Sequence, residues 1–520
     1  MRRMNALSSC GPFLALLGVL YFGLKAFYGF GTPSFGDESG HILGGLAIAK
    51  GDVLYRDYID AHGPLIFILS WSVSLFSDFH HAYLMRLVPI VCTIGTSVSV
   101  FCSPALQKNS TRFLAIGMWL AAMGAQWSVQ AFNMDSYWTV GGDLLGGVIA
   151  LVILPLLLGA DIGRWQARCG GACLALLPLT AYSFAPTAVV LLALSVLIGR
   201  RPGSGSATPN LLAGAGGVLA VCLVWMVFYG DLGGMIAYHF VANQFYYAPY
   251  IDVGLRALAQ SLIPSLRPDA LVQSLATICF YGGSVLLLVA SRQRLAVLLL
   301  LGAILMTQVR GALGFQDGTF AIGALTLCVL MLMRMTQPRE IGAILVAGLF
   351  CTLSVLGLRQ ATSSPYDMSR AQQRQAGFHP IHENADVGFV KIIQEYSAPQ
   401  ERILVIPYNP DVYIYSGRLP MKKYHEYLPW EADYARHPWF GYERDLCVDL
   451  PANLPPVIYF DDYRVWGRWS AADYMSCVLK ILARDYQRDP VEKSIYVRRD
   501  RLDRDAAKAV NSVSQPQNTH

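Results

Sequence analysis

Charge is scarce in this chain. Asp, Glu, Lys and Arg make up 14% of its 520 residues, against about 25% in a typical soluble domain. With 54% hydrophobic residues and a mean hydropathy of +0.40, that deficit excludes an ordinary soluble enzyme and defines an integral membrane protein. Basic runs and aromatic-basic alternation are also missing, and the net charge is only +5, which excludes nucleic acid as a partner. No Cys-x-x-Cys or His/Cys spacing suggests structural zinc. Of the eleven cysteines, all but Cys447 and Cys477 lie in or beside apolar segments, where they act as small hydrophobes. Heptads, internal repeats and low-complexity tracts are absent, apart from a Gly/Ser-rich hinge from Arg201 to Asn210 and a polar end, 505–520, that reads as disordered.

What the chain does contain is a series of long apolar runs. Arg2 and Arg3 precede the first, Gly11 to Phe30, which reads as a retained span with a cytoplasmic N-terminus. Lys25 lies near its outer end, within snorkelling reach of the interface. Further runs with room to cross a bilayer fall at about 86–106, 113–131, 137–160, 211–229, 271–290, 295–309, 319–335 and 341–358. The segment from Cys169 to Gly199 is either one long tilted span or two short ones broken at Ser183-Phe184-Ala185-Pro186. Lys and Arg favour cytoplasmic loops, and two crossings put Arg2/Arg3, Lys108/Arg112, Arg164/Arg168, Arg200/Arg201, Arg292/Arg294 and Arg334/Arg339 all on one side. The expectation is therefore about eleven transmembrane helices in residues 1–358. Leu65 to Phe76 is too short to span and suits a helix lying in the interface.

From about Arg359 the composition turns polar. Residues 402–406, 457–460 and 494–497 read as short strands, and 410–416 and 471–484 as helices, which makes 359–504 a small α/β domain. By the parity of the spans it lies on the non-cytoplasmic side, with the first external loop, about 32–84. Cys447 and Cys477 are free to pair there.

That first loop is where chemistry concentrates. Gly36-Asp37-Glu38-Ser39-Gly40-His41 is followed by Gly51-Asp52-Val53-Leu54-Tyr55-Arg56-Asp57-Tyr58-Ile59-Asp60-Ala61-His62-Gly63-Pro64. The acids are interleaved with Tyr, Arg and His, the mix needed for proton transfer and for a charged leaving group. An Asp-Glu pair just outside a first span, then Gly-Asp-x-x-Tyr-x-Asp-Tyr-x-Asp-x-x-x-Pro, resembles the first external loop of GT-C glycosyltransferases. That superfamily includes the protein O-mannosyltransferases and the bacterial aminoarabinose transferases, which take a sugar from a polyprenyl-phosphate carrier. The resemblance covers residues 30–75 by motif and the rest by architecture; Glu401-Arg402-Ile403-Leu404-Val405 with Tyr413 to Arg418 also looks like the tail domain of many bacterial GT-C enzymes.

The resemblance implies a GT-C fold, an inner (plasma) membrane location and an extracytoplasmic active site. It places Asp37 at the family's catalytic acid position, as general base in an inverting displacement, with Glu38 either supporting it or orienting the acceptor. Where relatives usually carry Lys-Pro-Pro, with the lysine on the carrier phosphate, this chain has His62-Gly63-Pro64, so His62, Arg256 and Arg310 are the candidate phosphate contacts. Tyr55, Asp57, Asp60, Asp135 and His239 are candidate substrate contacts, although Asp135 also suits a helix cap. The aromatic run Phe245-Tyr246-Tyr247 could line a sugar cleft but reads better as interfacial anchoring. Asp143, inside a span, carries an insertion cost of about 2.5–3.5 kcal/mol unless it faces a polar cavity or stays protonated.

No cofactor is required, and a divalent metal at Asp37, Glu38, His41 or His62 is an option. The expected partners are a polyprenyl-phosphate sugar, membrane lipid, and a glycan, lipid or protein acceptor. A transporter of lipid-linked saccharide would also explain many spans, but would more usually show repeats and matched broken helices. An envelope assembly protein leaves the acidic loop without a purpose.

Overall fold

The computed structural model describes residues 4–30, 36–129, 136–199, 207–251, 254, 258–259, 271–308, 317–335 and 388–502. Five of its helices are long and apolar enough to cross a membrane, and four shorter apolar helices accompany them. Apolar side chains on their outward faces are exposed, among them Val91, Ile94 and Val98 on one helix and Val221, Val224 and Phe228 on another. Such a surface is costly in water and matches lipid.

Helix α1 (Met4–Phe30) runs alongside α5 (Asn109–Val129). A Cβ on Gly18 would stand 2.6 Å from the carbonyl oxygen of Gly117, and one on Gly124 would strike Tyr21. Glycine permits this close approach, and the rising register shows that the two helices are parallel, as spans separated by one return must be. Between them α4 (Leu87–Phe101) lies parallel to α6 (Ser136–Val148): Thr93 donates to Asp143 Oδ2 at 3.0 Å, and Ser103 to the Ala150 carbonyl at 2.6 Å. Asp143 is thus turned into the bundle, against threonine hydroxyls, and not toward lipid. A π-helical turn, Ile149–Ile153, continues α6 into α7 (Leu154–Leu157).

The 169–199 region is a hairpin. Helices α8 (Arg164–Thr180) and α9 (Ala185–Gly199) are joined by the short turn Tyr182–Phe184. Ala167 of α8 and Ser195 and Val196 of α9 line one small crevice with Leu211 at the start of α10 (Ala207–Tyr229), so the helices run antiparallel and return to the side they left. The 341–358 run lies outside the described residues. Lys25 differs from expectation: it is buried, with its Nζ 5.8 Å from the Tyr21 ring.

The loop that follows α1 contains more helix than its polar sequence suggests, in α2 (Gly36–Ala49) and α3 (Pro64–Ser74). With 11 residues, α3 is about 16 Å long, half of what a bilayer needs. It lies across the C-terminal ends of α8 and α10. Gly63 donates to the Thr180 carbonyl at 3.1 Å, and Trp71 packs on Trp225 and Tyr229. A Cβ on Gly63 would come within 2.1 Å of the Leu179 oxygen, so only glycine fits there.

The C-terminal unit is a four-stranded sheet in the order β1-β2-β4-β3. Strand β1 (Leu404–Ile406) pairs in parallel with β2 (Val457–Phe460), while β3 (Tyr486–Arg488) and β4 (Ile495–Arg498) complete it antiparallel. Fully buried Leu404, Ile406, Ile458, Val478 and Ile495 lie in its core, and Cys447 and Cys477 are joined by a disulfide with Cα atoms 5.7 Å apart. The unit docks on the loop that follows α1.

Candidate functional site

Asp37 sits in the first turn of α2, where the helix dipole favours a carboxylate. Its Oδ1 accepts a hydrogen bond at 3.0 Å from Tyr408 Oη, a residue of the C-terminal unit. Burial, then the Asp37 charge, pushes the Tyr408 hydroxyl well up, so it stays a donor. Ser39 donates to Asp411, again across the two parts of the chain. Glu38 turns the other way. Both its oxygens accept from Arg86, Nε and Nη2 each at 2.8 Å, and the pair is almost fully enclosed, at 5% and 1% exposure. Each charge neutralises the other, and separating them would leave one stranded in a dry place.

The chain then turns sharply. Tyr55 adopts a φ of +65°, strained for a bulky residue, and the bend is closed by Leu54 bonding to the Tyr229 carbonyl and Asp231 to that of Leu54, each at 2.9 Å. This brings Asp60, His62, His41 and His425 together. Asp60 Oδ1 accepts from the His62 backbone amide at 2.8 Å and faces the same residue's Nδ1 at 2.6 Å; Oδ2 lies 3.3 Å from His425 Nε2. The His62 ring meets His41 edge-on at 4.7 Å, and His425 stacks on Tyr58 at 4.6 Å. Glu426 lies beyond, 3.8 Å from His425 Nε2.

The electrostatics of this row are polarised. Burial opposes the charge on Asp60, but His62 and the hydrogen bonds from His425 and His62 outweigh it and hold the carboxyl well below its usual range. Glu426 goes the opposite way, since burial and then the nearby Glu431 and Asp60 carboxylates push it well up. Two carboxyls facing the same imidazole nitrogen are therefore shifted in opposite directions, a pattern that separates acid from base. His41 is lowered by burial and then by the His62 charge.

Around this row the acidic loop serves as a dock. Asp52 takes a two-bonded clasp from Arg402, at 2.7 and 2.9 Å. Asp57 receives Arg56 at 2.8 Å, the Val53 amide at 3.1 Å and Lys422 at 3.3 Å. A small cavity of about 30 Å³ opens beside Asp60, lined also by Asn243, Tyr247, Trp430, Glu431 and Arg444.

Several expected substrate contacts are given other work. Tyr55 is fully buried and donates to the His62 carbonyl at 2.7 Å, which fixes the turn. Asp57 is committed to the dock. His239 is fully enclosed, its ring nitrogens 3.0 Å from the Ala61 carbonyl and 3.4 Å from that of Pro178, so it ties the loop to α8. Glu38 is a buried partner of Arg86. Tyr246 and Tyr247 pack on Tyr434 and Trp430, not as lone interfacial anchors. Asp135, Arg256 and Arg310 lie outside the described residues. Among the described residues no three His, Cys, Asp or Glu side chains are grouped to hold a metal. Sequence reasoning missed Arg86, Arg402, Tyr408, Lys422, His425 and Glu426; the one local signal was the dense run Lys422-Lys423-Tyr424-His425-Glu426-Tyr427.

No family model matches the chain, and no curated protein matches it in sequence. Among solved structures it is similar to the archaeal oligosaccharyltransferase AglB from Archaeoglobus fulgidus in complex with an inhibitory peptide and a dolichol-phosphate, at 13% identity over 88% of this chain and 69% of that one, with a TM-score of 0.37.

Proposed function

We propose that this membrane protein is a GT-C type glycosyltransferase. It moves a sugar from a polyprenyl-phosphate carrier to an acceptor hydroxyl on the outer face of a bacterial inner membrane. The observation that supports this reading best is the divided Asp37-Glu38 pair: one carboxylate is locked away by Arg86, while the other is held by Tyr408 of the C-terminal unit.

In this reading the acceptor O–H gives its proton to Asp37, its oxygen bonds to the anomeric carbon from the face opposite the phosphate, and the C–O bond to the carrier breaks. The electron pair leaves on polyprenyl phosphate, and the anomeric configuration inverts. The carrier is already a good leaving group, so position and charge stabilisation do most of the work. Arg256, Arg310 and the partly exposed His62 serve the departing phosphate, and Asp60 fixes the orientation of the His62 ring for that role.

Purified protein in nanodiscs, given a panel of radiolabelled polyprenyl-phosphate sugars and a membrane extract as acceptor, tests the proposal. A transferase releases free polyprenyl phosphate and labels the extract. Recovery of every carrier lipid intact, with movement of label between leaflets in vesicles, would establish a transporter instead.

A further inference from the structure

Five aromatic rings meet where the segment after α10 touches the C-terminal unit. Trp430 and Trp466 stack with centroids 4.9 Å apart and planes 29° from parallel. Trp469 lies 5.8 Å from Trp466, Tyr247 4.8 Å from Trp430, and Tyr250 5.1 Å from Trp469. None is sealed in the core, and Trp466 is 41% exposed. We propose that this cluster is a binding site for a glycan chain, the acceptor's docking surface; its acceptor role rests on the transferase reading, but the binding itself does not.

Three observations carry the assignment. The first is strain. Trp466 has a φ of +50°, a conformation a bulky side chain enters only at a cost. It stands in a tight turn closed by the Val465 amide on the Trp469 carbonyl at 2.8 Å, with Gly467 beside it also in the left-handed region. A turn of this kind would be relaxed by a second glycine. Carrying tryptophan there instead puts two large rings on one rim.

The second is the polar surround. Tyr250 donates to Asp433, which also pairs with Arg436 at 3.0 Å, and Arg468 lies 5.9 Å over the Trp469 ring. The C–H face of a sugar is weakly positive and suits the negative face of an aromatic ring, while its hydroxyl edge needs donors and acceptors of both kinds. The third is continuity: Tyr247 and Trp430 also line the small cavity that ends at Asp60, so a chain lying on the rings leads to the acidic loop.

The test is retention of the full-length protein, in detergent and without donor, on a printed array of immobilised oligosaccharides. The native protein and Asp37→Asn should bind the same glycans. Trp430→Ala with Trp466→Ala should weaken that binding by about tenfold or more, and Trp466→Tyr should keep most of it. Trp466→Gly separates binding from stability: it should lose glycan while the Tm stays level or rises, because the strained backbone relaxes. No retention of the native protein, retention indifferent to the tryptophans, or quenching of Trp466 fluorescence by spin-labelled lipid in vesicles would each overturn the assignment. Glycan binding lost with the tryptophans, in a protein that shows no transfer, would leave this site standing and remove the transferase.

Discussion

Arg402 grips Asp52 with two hydrogen bonds, at 2.7 and 2.9 Å, across 350 residues of chain. Asp52 is 3% exposed and Arg402 26%, so the pair lies between a solvated and a buried ion pair in worth. Arg402→Ala should destabilise the docking of the C-terminal unit by about 1–3 kcal/mol. Faster cleavage of the C-terminal unit in limited proteolysis would show this, and Arg402→Lys should recover only part of it, because lysine cannot make the planar two-point contact. An unchanged proteolysis rate would mean that the remaining contacts, Tyr408–Asp37, Lys422–Asp57 and His425–Asp60 among them, hold the unit without it.

Asp37→Asn keeps the volume and the bond from Tyr408 but removes the proton acceptor. Transfer should fall by roughly 10² to 10⁴, with expression and carrier affinity close to native. Tyr408→Phe should cost less, since it removes one hydrogen bond to the carboxylate and leaves the proton acceptor in place. Retention of more than half the activity in Asp37→Asn would take that residue out of the mechanism.

The two carboxyls flanking His425 give opposite pH dependences. Glu426 is raised by burial and its acidic neighbours, so below its ordinary value of 4.5 both folded and unfolded chains hold the proton and nothing is lost. Above it the unfolded chain releases the proton while the folded one keeps it, and stability falls as pH rises. Glu426→Gln should therefore raise the Tm at neutral pH and change little in acid. Asp60 is lowered from 3.8; its contribution is present above that value and fades as the pH drops toward the folded one. Asp60→Asn should thus cost stability at neutral pH. A Tm profile of the two variants that did not diverge in this sense would contradict the assignment.

Cys447 and Cys477 are paired. Closing a loop of this size is worth roughly 3–4 kcal/mol, so Cys447→Ser should lower the Tm of the C-terminal unit. Intact cells treated with a membrane-impermeant maleimide should show labelling at these positions only after reduction. Labelling restricted to cytoplasmic probes would put the unit, and Asp37 with it, on the inner side.

Much of the framework was legible because hydrophobic period and length are local properties. The hairpin in 169–199 was decided by where arginines could sit, and the strands at 457–460 and 495–498 by their apolar, β-branched and aromatic runs. The helices Pro429–Arg436 and Leu446–Ala452 were not foreseen, because they are short and polar and fold around Tyr434, Leu446 and Leu450, whose burial depends on the rest of the unit. The site divides in the same way. Asp37 stood out beside a first span, but no local pattern links Glu38 to Arg86 or Asp60 to His425. Tyr55, Asp57 and His239 already have partners within the protein, which residue type alone could not announce because only packing brings those partners together.

The division of the site between the two ends of the chain bears on how the protein is made. Asp37, Asp52 and Asp60 emerge early, whereas Arg402, Tyr408 and His425 follow after nearly all the spans. At a synthesis rate of about 5–20 residues per second, the interval of 350 residues between Asp52 and Arg402 lasts roughly 20 to 70 s. For that time the nascent acidic loop stands without its cap. A chain that stopped before Arg402 would carry Asp37, Asp52 and Asp60 without Tyr408, Arg402 and His425, so assembly of this site waits on the C-terminal unit.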